Sequence, residues 1–213
     1  MKYRHVIWDW NGTLFDDAWL CVEVMNGVLS RRNMPLLSHT RYMELFDFPV
    51  IDYYRKLGFD FEKEPFQISG TEFIVGYNER YREPELQPGV RETLQLIQDA
   101  GITQSILSAQ EQSTLEELMD IHDMHPFLQK AIGLNDHYAH SKIENGLRWM
   151  KELHYGPHEV LFVGDTVHDH EVARAIGADC VLIPGGHHPR TKLEKTGVPV
   201  LEDLYQVPDR LNR

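Results

Sequence analysis

The stretch Val6-Ile7-Trp8-Asp9-Trp10-Asn11-Gly12-Thr13-Leu14 runs three apolar residues into a carboxylate and then turns at once through a glycine. A carboxylate held at a strand end beside exposed turn amides can attack an electrophile and share a metal ion; the plainer reading is an aspartate capping a turn. A second stretch, Phe162-Val163-Gly164-Asp165-Thr166-Val167-His168-Asp169, places two carboxylates four residues apart, one at a strand end and one in the helical turn after it. Both can face one ion, and a set of oxygen ligands favours magnesium over zinc. Acidic residues at a helix N-terminus also occur for capping alone, so the pairing with Asp9 is what gives this stretch its weight.

Two further side chains suit an anion. Ser108, in Ser105-Ile106-Leu107-Ser108-Ala109-Gln110, offers a hydroxyl and the next amide, that of Ala109, to a phosphoryl oxygen, although strand-end serines are mostly turn formers. Lys142 follows Ser141, and Ser141 with Glu144 reads as a capping box that sets Lys142 in the first turn of a helix. The helix dipole disfavours a cation there, and an anion bound nearby would offset that inconsistency.

The elements that must position these residues are short apolar runs over Tyr3–Trp8, Ile102–Leu107, Ala131–Leu134, Val160–Val163 and Cys180–Ile183. Near-continuous apolar runs read as parallel strands buried on both faces. Between them, helical periods join Val90, Leu94 and Ile97, then Leu115, Leu118, Met119 and His122, then Ile143, Leu147, Met150 and Leu153. Strands alternating with helices imply an open α/β sheet with ligands at the carboxyl ends of its strands. About ninety residues separate the first two strands, far more than a crossover needs. Helical stretches over Trp19–Arg31 and Thr71–Tyr81 lie in that gap, which ends in the proline-punctuated Glu83-Pro84-Glu85-Leu86-Gln87-Pro88-Gly89. The expectation is a helical cap over residues 17–84 on a core of residues 1–16 and 85–213, with helices packed on the sheet as the alternative.

Composition narrows the class. With 213 residues, 42% hydrophobic and 25% charged, the chain has the make-up of a soluble globular protein. A formal net charge of −12 disfavours nucleic acid and anionic membrane surfaces as partners. The chain has no apolar run of about 18 residues and no long apolar segment after its first residues, so a cytoplasmic protein is expected, with Cys21 and Cys180 reduced.

Together and in this order, Asp9-Trp10-Asn11-Gly12-Thr13-Leu14, Ser108, Lys142 and Gly164-Asp165 through Asp169 resemble the four motifs of the haloacid dehalogenase-like hydrolase superfamily. The helical insertion and Leu86-Gln87-Pro88-Gly89-Val90 are similar to its phosphoglycolate phosphatase-like branch. The resemblance implies a Rossmann-like open parallel sheet of order 3-2-1-4-5 with an inserted α-helical cap. It implies a magnesium-dependent phosphatase of a small phosphorylated metabolite, working through an aspartyl-phosphate. Asp9 would be the nucleophile, Ser108 and Lys142 would grip the phosphate, and Asp9, Asp165 and Asp169 would hold Mg2+ together with the main-chain carbonyl of Asn11.

Asn11 departs from the pattern, because most phosphatases of the family carry an aspartate there as general acid and base. An amide can do neither, and general acid–base help is worth roughly 10²–10⁴ in rate. Three readings follow: an enzyme using good leaving groups or another donor such as Asp16, Asp17, His168 or a cap residue; a phosphometabolite-binding protein with little turnover; or a dehalogenase. The carboxylates of the fourth motif argue against the last, since attack at carbon needs no magnesium. His187 and His188 could line the rim of the site, and His168 and His170 flank Asp169, with solvent exposure the plainer reading of these histidines. Arg41, Arg55 and Lys56 are candidates for a substrate anion, against the plainer reading of a solvated face, while Phe46, Phe48, Tyr53 and Tyr54 are expected to pack the cap.

Overall fold

The structure, a computed structural model, describes residues 2–134, 142–156 and 158–211. In chain order the elements are β1 (His5–Trp8), α1 (Ala18–Ser30), α2 (His39–Leu45), α3 (Val50–Leu57), α4 (Phe66–Asn78), α5 (Val90–Asp99), β2 (Thr103–Glu111) and α6 (Gln112–Ile121). They continue as β3 (Lys130–Leu134), α7 (Lys142–Leu153), β4 (Val160–Gly164), α8 (Val167–Ile176), β5 (Asp179–Leu182), α9 (Arg190–Leu193) and α10 (Val207–Arg210). The strands form one sheet in the order β3-β2-β1-β4-β5, every neighbouring pair parallel. This is the order the resemblance implied.

Successive side chains of a strand point to opposite faces, so an apolar run with no alternation requires cover on both. Val6 and Trp8 of β1 pack with Leu94 of α5 and Leu115 and Leu118 of α6 on one face. Ile7 packs with Trp149 of α7 and Val172 and Ile176 of α8 on the other. No described helix is long and apolar enough to cross a membrane.

Two local expectations are corrected. The second strand does not stop at Leu107 but continues to Glu111, through a register shift against β3 between those two residues. The irregularity is held by Ser108, whose Oγ accepts from the Gln110 amide at 3.0 Å; Ser108 therefore lies within β2 rather than after it. In α7, Ile143, Met150 and Leu153 pack against the core as expected, but the fully buried face is Lys142, Asn145, Gly146 and Trp149, and Leu147 is exposed. Polar contacts overrode the apolar period: Asn145 Nδ2 donates to the Gly133 carbonyl at 2.8 Å and Trp149 Nε1 to Ser105 Oγ at 2.8 Å. Ser141 lies outside the described residues, and with it the capping box proposed for Ser141 and Glu144.

Between β1 and α5, helices α1–α4 bury a cluster of their own, with Leu20, Met25 and Val28 of α1 against Tyr42, Tyr53, Tyr54 and Tyr77. Helix α1 agrees with the run expected over Trp19–Arg31, whereas α4 starts at Phe66, earlier than the expected Thr71. Helices α2 and α3, of seven and eight residues, had not been read as separate elements. Helices so short display barely two turns of apolar period. Side-chain bonds tie the segment together instead: Ser38 accepts from the Arg41 amide to cap α2, and Asn26 bonds both the amide and the carbonyl of Leu37.

Candidate active site

Asp9 leaves the end of β1, its amide bonded to the Val163 carbonyl of β4 at 2.9 Å. Asp165 leaves β4, so the sheet order puts the two carboxylates side by side, and Asp169 returns toward them from the first turn of α8. One oxygen each of Asp9, Asp165 and Asp169 lies within 4.8 Å of the others, all three residues buried. Gly12, at φ 76°, lets the first turn approach this group: a Cβ there would stand 2.4 Å from Asp165 Oδ2.

The side chains around the cluster hold it rigid. Lys142 Nζ reaches in from the start of α7 and donates to Asp9 Oδ1 at 2.5 Å and Asp169 Oδ1 at 2.6 Å. Asp169 Oδ2 accepts from the amides of Asp165 and Thr166 and from the Thr166 hydroxyl, which in turn caps α8 by accepting from the Asp169 amide. Thr13 Oγ1 donates to Asp165 Oδ1 at 2.9 Å, and the His187 amide donates to Asp165 Oδ2 at 2.6 Å. Thr13 and Thr166 were not singled out from the sequence, where a threonine in a turn carries no distinguishing signal.

Crowded, buried negative charge shows in the proton affinities. Burial and the neighbouring Asp169 raise Asp9 well above the usual carboxylate range, although Lys142 opposes them. Burial lifts Asp165 to about 6. Burial also pushes Asp169 upward, but the Lys142 ammonium and the Thr166 hydroxyl outweigh it and hold Asp169 below its ordinary value. For Lys142 burial favours the neutral amine, and the two carboxylates more than reverse that. The residues present fit a hard divalent cation. The donors are all carboxylate oxygens, and burial followed by like charge makes two of the three bind protons unusually tightly, a cost that a bound cation would offset.

Asn11 stands in a second network. Its Nδ2 donates to Asp17 Oδ2 at 2.9 Å and to the Tyr77 hydroxyl at 3.2 Å, while its Oδ1 accepts from Ser108 Oγ at 3.3 Å. Asp17 also accepts from the Gly12 amide at 3.0 Å and from the Tyr77 hydroxyl at 2.8 Å, and His187 Nε2 lies 3.4 Å from its other oxygen. Burial raises Asp17, but His187 and these donors pull it below the ordinary range. Burial lowers His187, but Asp17 overcomes this and lifts it to about 9. The charged imidazole then donates from Nδ1 to the Tyr42 hydroxyl at 2.8 Å. Asp17 is thus an ionised acceptor with no proton to give. Asp17, a candidate proton donor on the sequence, and His187, there only a candidate for the rim, are central here.

A cavity of about 550 Å³ opens above Asp9, and its lining includes Asp9, Asn11, Asp17, Ala109, Lys142, Asp169, His168 and His187. Phe46, Tyr53 and Tyr54 line its wall as well as packing the helices, whereas Phe48, also in the lining, stays outside that cluster, 37% exposed with its ring against His168. Ser108 is buried, with its hydroxyl spent on Asn11 and Gln110. Arg41, Arg55 and Lys56 are not brought to the site: they are exposed and paired with Glu44, Asp52 and Asp47. Asp16 bonds Gln87 outside the cavity lining. His170 is half-buried outside that lining, and His188 is buried behind the wall.

A family model for haloacid dehalogenase-like hydrolases matches residues 6–183. Among curated proteins, the chain is 29% identical over 138 residues to a phosphoglycolate phosphatase of Pseudomonas syringae, an alignment covering 63% of this chain and 50% of that protein. The chain thus spans about half the length of the curated phosphoglycolate phosphatases it matches. It is 24% identical over 206 residues to the probable phosphatase IndB of Dickeya dadantii, covering 94% of this chain and 89% of the relative. A solved haloacid dehalogenase-like family protein from Streptococcus pneumoniae superposes with a TM-score of 0.84 over 98% of both chains at 16% identity. At that identity the likeness speaks to the fold.

Proposed function

We propose that this chain, which belongs to the haloacid dehalogenase-like hydrolase family, is a magnesium-dependent phosphatase of small phosphorylated metabolites. The observation that carries this reading is the meeting of Asp9, Lys142 and Asp169 at the base of one cavity, with Asp165 buried directly beside Asp9 and Asp169. Asp9, Asp165, Asp169 and the main-chain carbonyl of Asn11 would hold the ion, and a bound magnesium would neutralise charge on the phosphoryl oxygens. The phosphatase names of the relatives point the same way.

In the first step Asp9 Oδ2, the oxygen not bonded to Lys142, forms a bond to phosphorus as the ester P–O bond breaks. The electron pair leaves on the substrate oxygen. Water then attacks phosphorus, releasing inorganic phosphate and regenerating the Asp9 carboxylate. Lys142 stabilises the phosphoryl charge in both steps, and the Ala109 amide, in the cavity lining, orients the phosphate, while the buried Ser108 hydroxyl positions Asn11 and the Gln110 amide. Residues 17–84 act as a cap that excludes water over the site. Asn11 offers the leaving oxygen no proton, and its amide is already committed to Asp17. The enzyme is therefore attenuated toward poor leaving groups. That same commitment favours a second reading, a phosphometabolite-binding protein with little turnover. A phosphate-release screen across phosphate esters, with and without magnesium and with Asp9→Asn as control, separates them: the enzyme shows magnesium-dependent release lost in the variant, the binder none.

A further inference from the structure

The cavity has two chemically unlike ends. Near the strand ends it is ionic, with the Tyr42 and Tyr77 hydroxyls bonded to His187 and Asp17; away from them its wall includes Phe46, Tyr53, Tyr54, Phe66, Phe73 and Ile74. Ligand sites of about 300–1,000 Å³ are commonly apolar with a few placed polar groups, and 550 Å³ leaves most of this one for the organic part of a ligand beyond its phosphate. No arginine is present in the described lining. Lys142 already sits between two carboxylates, His187 is paired with Asp17, and the His168 ring lies against Phe48 at 4.6 Å. The cap's guanidinium groups are ion-paired away from the cavity, Arg32 with Glu64 and Glu72, Arg55 with Asp52. A second anionic group on the substrate would lose its hydration here and meet Asp17 rather than a free cation, an unfavourable burial.

The ionic end makes an independent demand. Asn11 cannot protonate a departing oxygen, so the ester that reacts readily is one whose oxygen leaves as a stabilised anion. A phenolic oxygen does so and an alkoxide does not. We propose that the substrates of this site are aryl phosphate monoesters, a phosphate on an aromatic hydroxyl, with an uncharged ring system packed against the aromatic wall. This rests on the phosphatase reading and narrows it away from phosphoglycolate, whose organic part is a small carboxylate. In the step itself Asp9 takes the phosphoryl group, the aryl–O–P bond breaks at phosphorus, and the phenolate takes its proton from solvent after release.

The test is phosphate release by the intact protein with magnesium, comparing kcat/KM for 2-naphthyl phosphate, phenyl phosphate, 4-carboxyphenyl phosphate and phosphoglycolate. The 2-naphthyl ester should exceed phosphoglycolate by about 100-fold or more. The 4-carboxyphenyl ester should fall at least about tenfold below phenyl phosphate, because its leaving group is comparable and only the buried charge differs. Ile74 lines the cavity and is 38% exposed, so Ile74→Arg brings a cation to the wall without emptying the core. That variant, once shown to be folded, should narrow the carboxyphenyl deficit by about tenfold through a lower KM. Phosphoglycolate hydrolysed as well as the naphthyl ester, or a carboxylate tolerated by the wild-type protein, overturns the aryl assignment and leaves the phosphatase reading standing. Magnesium-dependent release from none of the four esters overturns both.

Discussion

The floor and the wall of the cavity are built on opposite plans. On the floor and just beneath it, Asp9, Lys142, Asp169 and the buried Asp165 each leave a strand end or a first helical turn, and hydrogen bonds within a few ångströms fix each of them. The wall comes from four helices, two of them short, and its aromatic rings are placed by packing on one another, as with Tyr42 on Tyr53 at 5.8 Å and Tyr54 on Phe66 at 5.1 Å. Charge is concentrated below, and above it is turned outward and paired. The contrast separates two tasks. Phosphoryl transfer needs charges held still, since their alignment in the transition state lowers the barrier. Selecting an organic group needs shape and an apolar surface, which rings supply with few rotatable bonds.

The most severe break in this contrast should come from the floor. Asp9→Asn should reduce phosphate release to background, because an amide is too poor a nucleophile to take up the phosphoryl group. Lys142→Ala should leave a measurable remnant, since it removes charge stabilisation and keeps the attacking atom. Steady-state rates on purified protein check both, and a full wild-type rate in Asp9→Asn would show that the nucleophile lies elsewhere.

Next in size is the junction where Asn11 meets Asp17. Asn11→Asp alone would set a second carboxylate where the amide now stands 2.9 Å from the buried Asp17, and two carboxylates at that distance hold one proton between them. The single change should therefore help less than the exchange Asn11→Asp with Asp17→Asn, which restores an acid and keeps the hydrogen bond. The exchange should speed alkyl phosphates by roughly 10²–10⁴ and aryl phosphates by less. Asn11-Gly12 is also prone to deamidation, so intact-protein mass should be measured before the kinetics. If the exchange leaves alkyl phosphates unchanged, proton transfer at this position does not limit the reaction.

The metal effect is smaller. Magnesium at about 100 times its dissociation constant should stabilise the fold by about 2.7 kcal/mol, which is some 5–10 °C in Tm for a domain of this size. Asp165→Asn should remove most of that gain, and an equal shift in the variant would place the ion elsewhere.

The same contrast governs how much could be read without coordinates. Asp9, Asp165, Asp169 and Lys142 were legible because each sits at a fixed offset from an apolar run, and the sheet order brings those offsets together. The sheet was legible for the same reason, down to a few residues at the strand ends. The Asp17–His187 pair was not, because it joins residues 170 positions apart at 3.4 Å, and neither lies in a periodic segment. Nor could Arg41 and Arg55 be placed, since the orientation of a basic side chain on a short helix depends on acidic partners such as Glu44 and Asp52. The face of α7 was legible only in part: Ile143, Met150 and Leu153 pack against the core, but Asn145 and Trp149 are buried deeper by hydrogen bonds, which leave no trace in an apolar period.

The last and smallest effect lies where the wall is fastened to the floor, at His188. Its Nδ1 accepts from the Val167 amide at 3.0 Å, satisfying a donor at the start of α8, and Nε2 donates to the Phe46 carbonyl between α2 and α3 at 3.0 Å. Only a neutral imidazole can make both bonds. Burial, followed by the Lys192 ammonium 3.1 Å away, lowers its pKa from 6.5 to about 4, with Asp47 opposing and the neighbouring His187 adding to the shift. A base whose pKa is lowered by folding contributes its full stability above about pH 6.5 and loses it as pH falls toward 4. At pH 5 the loss is about 2 kcal/mol, taking 1.36 kcal/mol per pH unit over the interval below 6.5. His188→Asn does not titrate, so between pH 7.5 and 5 the wild-type protein should lose about 2 kcal/mol more than the variant in urea unfolding. Protonation breaks the bond to Val167 and weakens the hold on Phe46, leaving β1 and β4 untouched. Amide exchange at pH 5 should therefore rise first in α2 and α3 and last in the central strands. Parallel loss in both regions, or an identical pH dependence in the variant, would show that the wall is held by its aromatic packing and not by this histidine.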